Sequence, residues 1–258
     1  MLTKGSCMPR AEQGCPQRPA GKLSLRNQER EAITTNAWFS ALSASLRHDI
    51  LRHAEVRHYP DAGVICRRGD PADAWLAVLA GSVRVGSHSP NDRQITLRYV
   101  EPGVWFGEVE MFDMKGRPYD LLAHGDTTLL CVGREDVQQI LADHPEFCVA
   151  LLRLQSQRAR QLYRLVEDLN TKPLRARIAR QLSQLARTYG EPANTDGPEV
   201  RIGLRLRQAE LADLIGCSRQ RLNQELKLME RDQTISVEAG GVVVRNDQAL
   251  RRIYEHAS

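Results

Sequence analysis

The chain has 258 residues, 41% of them hydrophobic and 26% charged, with a formal net charge of +4. That is enough chain for two domains with real cores, in a composition ordinary for a soluble globular protein. No run approaches the roughly 20 apolar residues of a membrane span, and the polar N-terminus lacks the apolar core of a secretory signal, so a cytoplasmic protein with no membrane partner is expected.

Residues 1–35 carry six basic and three acidic side chains. They are rich in Gln, Arg, Gly and Pro without an apolar period, which predicts a disordered basic tail. From Ala37 to His53, the residues Trp38, Phe39, Leu42, Leu46 and Ile50 form the apolar side of a short helix. From Val56 to Val132 the texture changes to short alternating runs. Gly63, Gly69, Gly81, Gly86, Gly103 and Gly107 mark turns between segments such as Ala77-Val78-Leu79 and Val83-Arg84-Val85. Ile95, Leu97 and Tyr99 alternate with polar residues. Short strands at even spacing predict a compact antiparallel barrel or roll. With the preceding helix it makes one domain, residues 36–144.

Pro145 is suited to the first turn of a new helix, where its missing N–H would have no partner in any case. The helix should span residues 145–170, with Pro173 beyond its end. Cys148, Leu152, Gln155, Ala159, Leu162, Val166 and Leu169 are spaced alternately by four and three. That is a coiled-coil seam and predicts a dimerisation helix. The same face packed on its own domain is the plainer alternative. A further helix, about Leu174 to Thr188, opens a third segment, residues 171–258. Residues 172–258 carry 15 basic and 11 acidic side chains, a balance suited to a phosphate-facing surface. A polar loop from Tyr189 to Pro198 precedes a strand around Val200 to Leu204.

The stretch from Leu206 to Arg231, LRQAELADLIGCSRQRLNQELKLMER, reads as a helix-turn-helix. Leu211, Leu214 and Ile215 share one helical face, Gly216 permits the sharp turn, and Ser218 can cap the next helix. Ala212 is small enough for two helices to cross closely. The second helix buries Leu222, Leu226 and Met229 and turns Arg219, Gln220, Asn223 and Gln224 outward. A solvated helical hairpin would share this pattern. The next dozen residues argue for more: Thr234 to Val237 alternates like a strand, Ala239-Gly240-Gly241 is a tight turn, and Val242-Val243-Val244 is a second short strand. A helix-turn-helix with such a hairpin is a winged helix, closed here by a short helix at residues 247–256.

The run IGCSRQRLNQELKLME resembles the DNA-binding domain of the cyclic-AMP receptor protein and FNR family of bacterial regulators. AGVICRRGDPADAWLAVLAGSVRV, with FGEVEMF downstream, resembles that family's cyclic-nucleotide-binding roll. The resemblance covers roughly residues 36–246 in the same order. It implies an α+β fold: an N-terminal cyclic-nucleotide-binding-like antiparallel β-roll, a long dimerisation helix and a C-terminal winged helix-turn-helix. It implies a homodimer that binds double-stranded DNA, with RNA polymerase as a further partner.

The effector site departs from the family pattern. Members that bind cyclic AMP use an FGE segment and an Arg-Ser-Ala element about ten residues later. There Glu accepts from the ribose, Arg neutralises the phosphate, and Ser with backbone amides completes the cradle. This chain has Phe106-Gly107-Glu108, but downstream it has Arg117-Pro118-Tyr119. The Arg is displaced by one residue, Pro lacks both N–H and hydroxyl, and Tyr fills space. Where the receptor has an adenine-bonding Thr-Ser pair, this chain has Leu162-Tyr163. Cyclic AMP is therefore not expected to bind in the usual way, and cofactor and effector stay unknown. Haem would need an axial ligand. His58, His88 and His124 lie in the roll, where a histidine is more often a packing or surface residue.

By position, Arg219 matches a guanine-reading Arg of the family. Gln220 and Gln224 stand where the cyclic-AMP receptor has Glu and Arg, which implies a different operator, because Gln prefers adenine. Arg207, Gln208, Ser218 and Arg221 are candidate phosphate contacts, which position the protein without specifying sequence. Arg207 replaces the usual Thr or Ser cap. The six cysteines include no CxxC pair. Cys7 and Cys15 are too few and too far apart for the iron–sulfur cluster of the oxygen-sensing FNR branch, so free thiols in a reducing cytosol are expected. Two other functional classes fit less well. A nucleotide-binding module acting on a protein partner would end without a winged helix. An enzyme would need a phosphate loop, a metal-spaced His/Cys cluster or a triad, and the sequence offers none of these.

Overall fold

The computed structural model describes residues 27–88, 94–193, 198–238 and 241–256. The first 26 residues of the expected tail, with Cys7 and Cys15, lie outside the described residues, as do Ala239 and Gly240 of the expected hairpin turn.

The expected disorder through residue 35 is corrected at its end: α1 (Asn27–Thr35) is helical. A single apolar anchor, Ile33, is buried among Phe39, Trp75 and Trp105. One anchor sets up no period, so the sequence pattern does not reveal this helix. The helix expected from Ala37 to His53 is two, α2 (Ala37–Ser40) and α3 (Ala44–Arg52). The Asn36 side chain caps α2 by accepting from the backbone N–H groups of Trp38 and Phe39, and Ser43 caps α3 by accepting from Leu46. Two N-caps in eight residues force the break.

The roll follows: β1 (Ala54–Tyr59), β2 (Val64–Cys66), β3 (Ala74–His88), β4 (Gln94–Val100), β5 (Trp105–Phe106), the short α4 (Val109–Phe112) and β6 (Asp120–Gly133). All pairings are antiparallel, in the order β1-β6-β3-β4, with β2 on β6 and β5 on β3. One face of the long β3 and β6 strands encloses Leu76, Val78, Val83, Val85 and Leu129. The other face packs Trp75 and Trp105, stacked with ring centroids 4.0 Å apart, against Phe39, Ile140 and Phe147.

After α5 (Arg134–Asp143), the long α6 runs Pro145–Thr171 with Pro at its first turn. Phe147 and Leu151 tie its start to the roll, and Trp38 Nε1 donates to the Ala150 carbonyl at 3.0 Å. Then come α7 (Leu174–Tyr189), β7 (Gly190–Pro192), β8 (Val200–Ile202), α8 (Gln208–Ile215), α9 (Arg219–Arg231), β9 (Ile235–Glu238), β10 (Gly241–Val244) and α10 (Asp247–Glu255). The four-stranded wing sheet has the order β7-β8-β10-β9. Its β7 lies where a loop is expected, because Gly190-Glu191-Pro192 carries no strand pattern and pairs only through its backbone. A third core of Leu182, Leu211, Leu222, Leu226, Ile235 and Val244 holds this segment together.

Candidate nucleic-acid interface and effector site

The turn between α8 and α9 is closed by Gly216, which adopts left-handed φ 72 and ψ 46. The N–H of Cys217 returns to the Ala212 carbonyl at 3.0 Å, so the end of α8 is satisfied as the chain reverses. Ser218 then caps α9, its hydroxyl accepting from the Arg221 N–H at 3.3 Å. Leu222, Leu226 and Met229 are buried, as the spacing predicts. Arg219, Gln220, Arg221 and Gln224 are exposed together on the first turns of α9. Asn223 is half-buried. Arg219 Nε lies 3.5 Å from Gln208 Oε1, so these two expected DNA contacts are neighbours.

Arg207 stands at the α8 N-cap, and its lost cap is replaced from within the helix. Glu210 Oε2 accepts from the Arg207 backbone N–H at 2.9 Å, and its Oε1 accepts from the Arg207 guanidinium at 2.8 Å. Burial works to raise the Glu210 pKa. The hydrogen bonds and charge of Arg207, with the charge of Arg84, prevail and hold it below the ordinary carboxylate range.

In the roll, Gly107 has φ +85, and a Cβ there would collide with Arg117 Nη1. The two residues are therefore in direct contact. The Arg117 guanidinium is buried and turned inward: Nη1 donates to the Gly107 carbonyl at 3.2 Å and lies 3.6 Å from Glu110, and Nη2 donates to the Ala74 carbonyl. The Glu108 carboxylate, 3% exposed, accepts from Gln155 and Arg158 of α6. Arg158 also donates to the Trp105 carbonyl. A cavity of about 260 Å³ beside Arg117 is lined by Arg57, Tyr59, Cys66, Asp70 and Leu76, below the roughly 300–1,000 Å³ of typical small-molecule sites. Burial pushes the Cys66 thiol up to about 12, so it is no ready nucleophile.

Gly107 and Arg117 are in contact, whereas Glu108, next to Gly107 in the chain, is bonded to α6. Leu162 and Tyr163 do not join them. They are 61% and 75% exposed on α6, and the α6 side chains bonded to Glu108 are Gln155 and Arg158. Sequence reasoning missed Arg158. The polar Gln155 inside an apolar seam was its one available signal. Leu152, Ala159, Val166 and Leu169, expected in the seam, are also exposed. Leu169 additionally approaches the turn of its own helix-turn-helix, since a Cβ on Gly216 would meet its Cδ2 at 3.3 Å. The roll histidines have protein neighbours: His58 bonds Thr128 at 3.0 Å, His88 lies 3.0 Å from Asp120, and His124 packs edge-on against Tyr99.

The cyclic nucleotide-binding domain family matches residues 56–144, and the Crp-like helix-turn-helix domain family matches residues 176–253. The chain belongs to the CRP/FNR family of bacterial transcription regulators. It is a DNA-binding transcription regulator. A CRP-like cAMP-activated global transcriptional regulator from Mycobacterium tuberculosis is 28% identical over 222 residues, 86% of this chain and 98% of that one. The structure of the c-di-GMP-responsive global regulator CLP of Xanthomonas campestris is 28% identical, with a TM-score of 0.64 over 78% of this chain and 99% of its own. A CRP/FNR-family regulator from Thermus thermophilus is 26% identical, with a TM-score of 0.64 over 79% of this chain and 100% of its own. No helix among the described residues is long and apolar enough to cross a membrane.

Proposed function

We propose that this protein is a homodimeric, sequence-specific transcription regulator of the cytoplasm whose roll does not take cyclic AMP in the usual way. The observation that carries the reading is the shared exposure of Arg219, Gln220, Arg221 and Gln224 at the start of a helix braced by a turn and a wing. Arg219, Gln220 and Gln224 read base edges in the major groove. Arg207, Gln208, Ser218 and Arg221 contact the phosphates alongside. Dimerisation through residues 145–170 is supported by the exposed Leu152, Leu162, Val166 and Leu169 on one helix. Two copies give two reading helices, and RNA polymerase is the partner at a promoter. Selection from a random duplex pool tests this: an imperfect palindrome supports it, and no enrichment refutes it.

The effector part rests on Arg117. Its guanidinium donates to two backbone carbonyls and faces Glu110, so its charge is spent inside the protein. Among the relatives, one is cAMP-activated and one c-di-GMP-responsive, which favours a second reading in which a nucleotide still binds. Calorimetric titration with cyclic AMP and with cyclic di-GMP separates the two. Saturable micromolar binding of cyclic AMP, abolished by Arg117→Ala, restores the ordinary mechanism.

A further inference from the structure

The roll and the helix-turn-helix meet along one edge. Arg84, on β3, donates through Nη1 to Glu210 Oε1 at 3.2 Å, and the two side chains are only 11% and 8% exposed. Beside this pair, the Thr96 N–H on β4 donates to Asp213 Oδ2 at 3.3 Å. Tyr99, also on β4, is buried in the apolar core of the DNA-binding segment with Leu211 and Ile215. Ser82 Oγ lies 3.4 Å from the Tyr189 hydroxyl. The roll therefore contributes an aromatic side chain and polar bonds to the segment that carries α8.

The Glu210 carboxylate has two arginines. On one side is Arg84 from the roll. On the other is Arg207, whose Nη2 is 2.8 Å from the same oxygen and whose side chain is 76% exposed. A carboxylate this buried is costly unless paired and hydrogen-bonded. Arg84, bonded from the roll side, holds the carboxylate stationary, and the stationary carboxylate gives Arg207 one fixed partner while the rest of its guanidinium faces solvent. Without such a partner a long surface arginine samples many rotamers, and that freedom must be given up when it is ordered on a phosphate.

We propose that Arg84 is a positioning residue for DNA binding, acting through Glu210 to hold the Arg207 guanidinium ready for an operator phosphate. The relay makes the roll a direct contributor to backbone affinity, by a route that does not pass through α6. The proposal rests on the DNA-binding reading above and on Arg207 as a phosphate contact.

The test is a double-mutant cycle on the full-length protein with the duplex it selects and with a scrambled duplex, over a range of salt. Loss of one phosphate contact lowers the slope of log affinity against log salt by about 0.9 for each half-site. Arg207→Ala should lower the slope by that amount, Arg84→Met, which leaves the Arg207 charge in place, should leave the slope nearly unchanged, and each should weaken both duplexes about tenfold, a change of about 1.4 kcal/mol. Together they should do no more than Arg207→Ala alone. Additive losses, or an unchanged affinity in Arg84→Met, overturn the relay. Where Arg84→Met fails to fold, Arg84→Lys decides. It keeps the charge and loses the planar fork, so a reduced affinity present with Arg207 and absent in Arg207→Ala supports the relay, and equal losses in both backgrounds overturn it. A wild-type protein that selects no sequence refutes the DNA-binding reading itself. A wild-type protein that selects one, with additive mutants, refutes the relay alone.

Discussion

Arg158 of the long helix α6 and Glu108, in the turn after β5, form an ion pair inside the fold. Gln155, one turn earlier, shares the same carboxylate oxygen, while the Glu108 Oε2 atom is buried without a hydrogen-bond partner. The pair joins the roll to α6 at the place where the family resemblance puts a ribose.

Removing one member of a buried pair strands the other charge, which costs about 3–5 kcal/mol. Arg158→Met is therefore expected to destabilise the roll by about 3 kcal/mol, read as an earlier transition in calorimetry. Combining it with Glu108→Gln should recover much of the loss, because no buried charge remains. A double mutant as unstable as Arg158→Met alone would show that packing, and not charge, sets the cost.

Dimerisation is checked on α6. Val166 is half exposed, between Leu162 and Leu169 on the same face. Val166→Asp would place a charge in the proposed seam, and the proposed dimer is expected to dissociate at micromolar concentration. Sedimentation velocity reads this directly. An unchanged dimer moves the interface elsewhere.

Much of this arrangement is legible in the sequence because it depends on local rules. Gly216 has to be left-handed, Ser218 has to cap, and the buried leucines of α9 are fixed by helical spacing. The roll is legible from its glycine-punctuated alternation. What stays hidden depends on residues far apart in the chain. Arg84 and Glu210 are 126 positions apart, Gln155 and Glu108 are 47 apart, and nothing in either local pattern names the other. The same holds for α1, whose order comes from Ile33 entering a tryptophan cluster built by β3 and β5. Arg117 shows the limit in another way. The displaced arginine is visible in the sequence, but not that its charge is turned onto the Gly107 and Ala74 carbonyls.

The N-cap of α6 predicts a pH effect. His144 Nε2 lies 2.8 Å from Asp49 Oδ2 on α3, and that hydrogen bond, assisted by Glu146, holds the imidazole above the ordinary histidine range. A raised folded pKa stabilises the protonated form. Its contribution is complete below about pH 6.5 and is lost as the pH rises through the higher folded value. The melting temperature should therefore fall as the pH rises above about 6.5, and His144→Asn should flatten that fall. An equal slope in wild type and variant would assign the pH dependence to another group.

The reading helix gives the last prediction. A two-fold dimer places its half-site centres about one helical turn apart, roughly 34 Å. Arg219 and Arg221 are near neighbours in sequence and both exposed, yet they should fail differently. Arg219→Ala removes a bidentate partner of guanine. It is expected to cost about 1–3 kcal/mol per half-site and to relax preference at one base pair. Arg221→Ala removes a phosphate contact. It should weaken all duplexes alike, lower the salt slope by about 0.9 per half-site and leave the selected sequence as it was. Selection from a random pool, followed by salt titration of the winning duplex, separates the two. If Arg219→Ala selects the wild-type sequence, α9 does not read the bases through its first turn, and Gln220 and Gln224 become the residues to replace next.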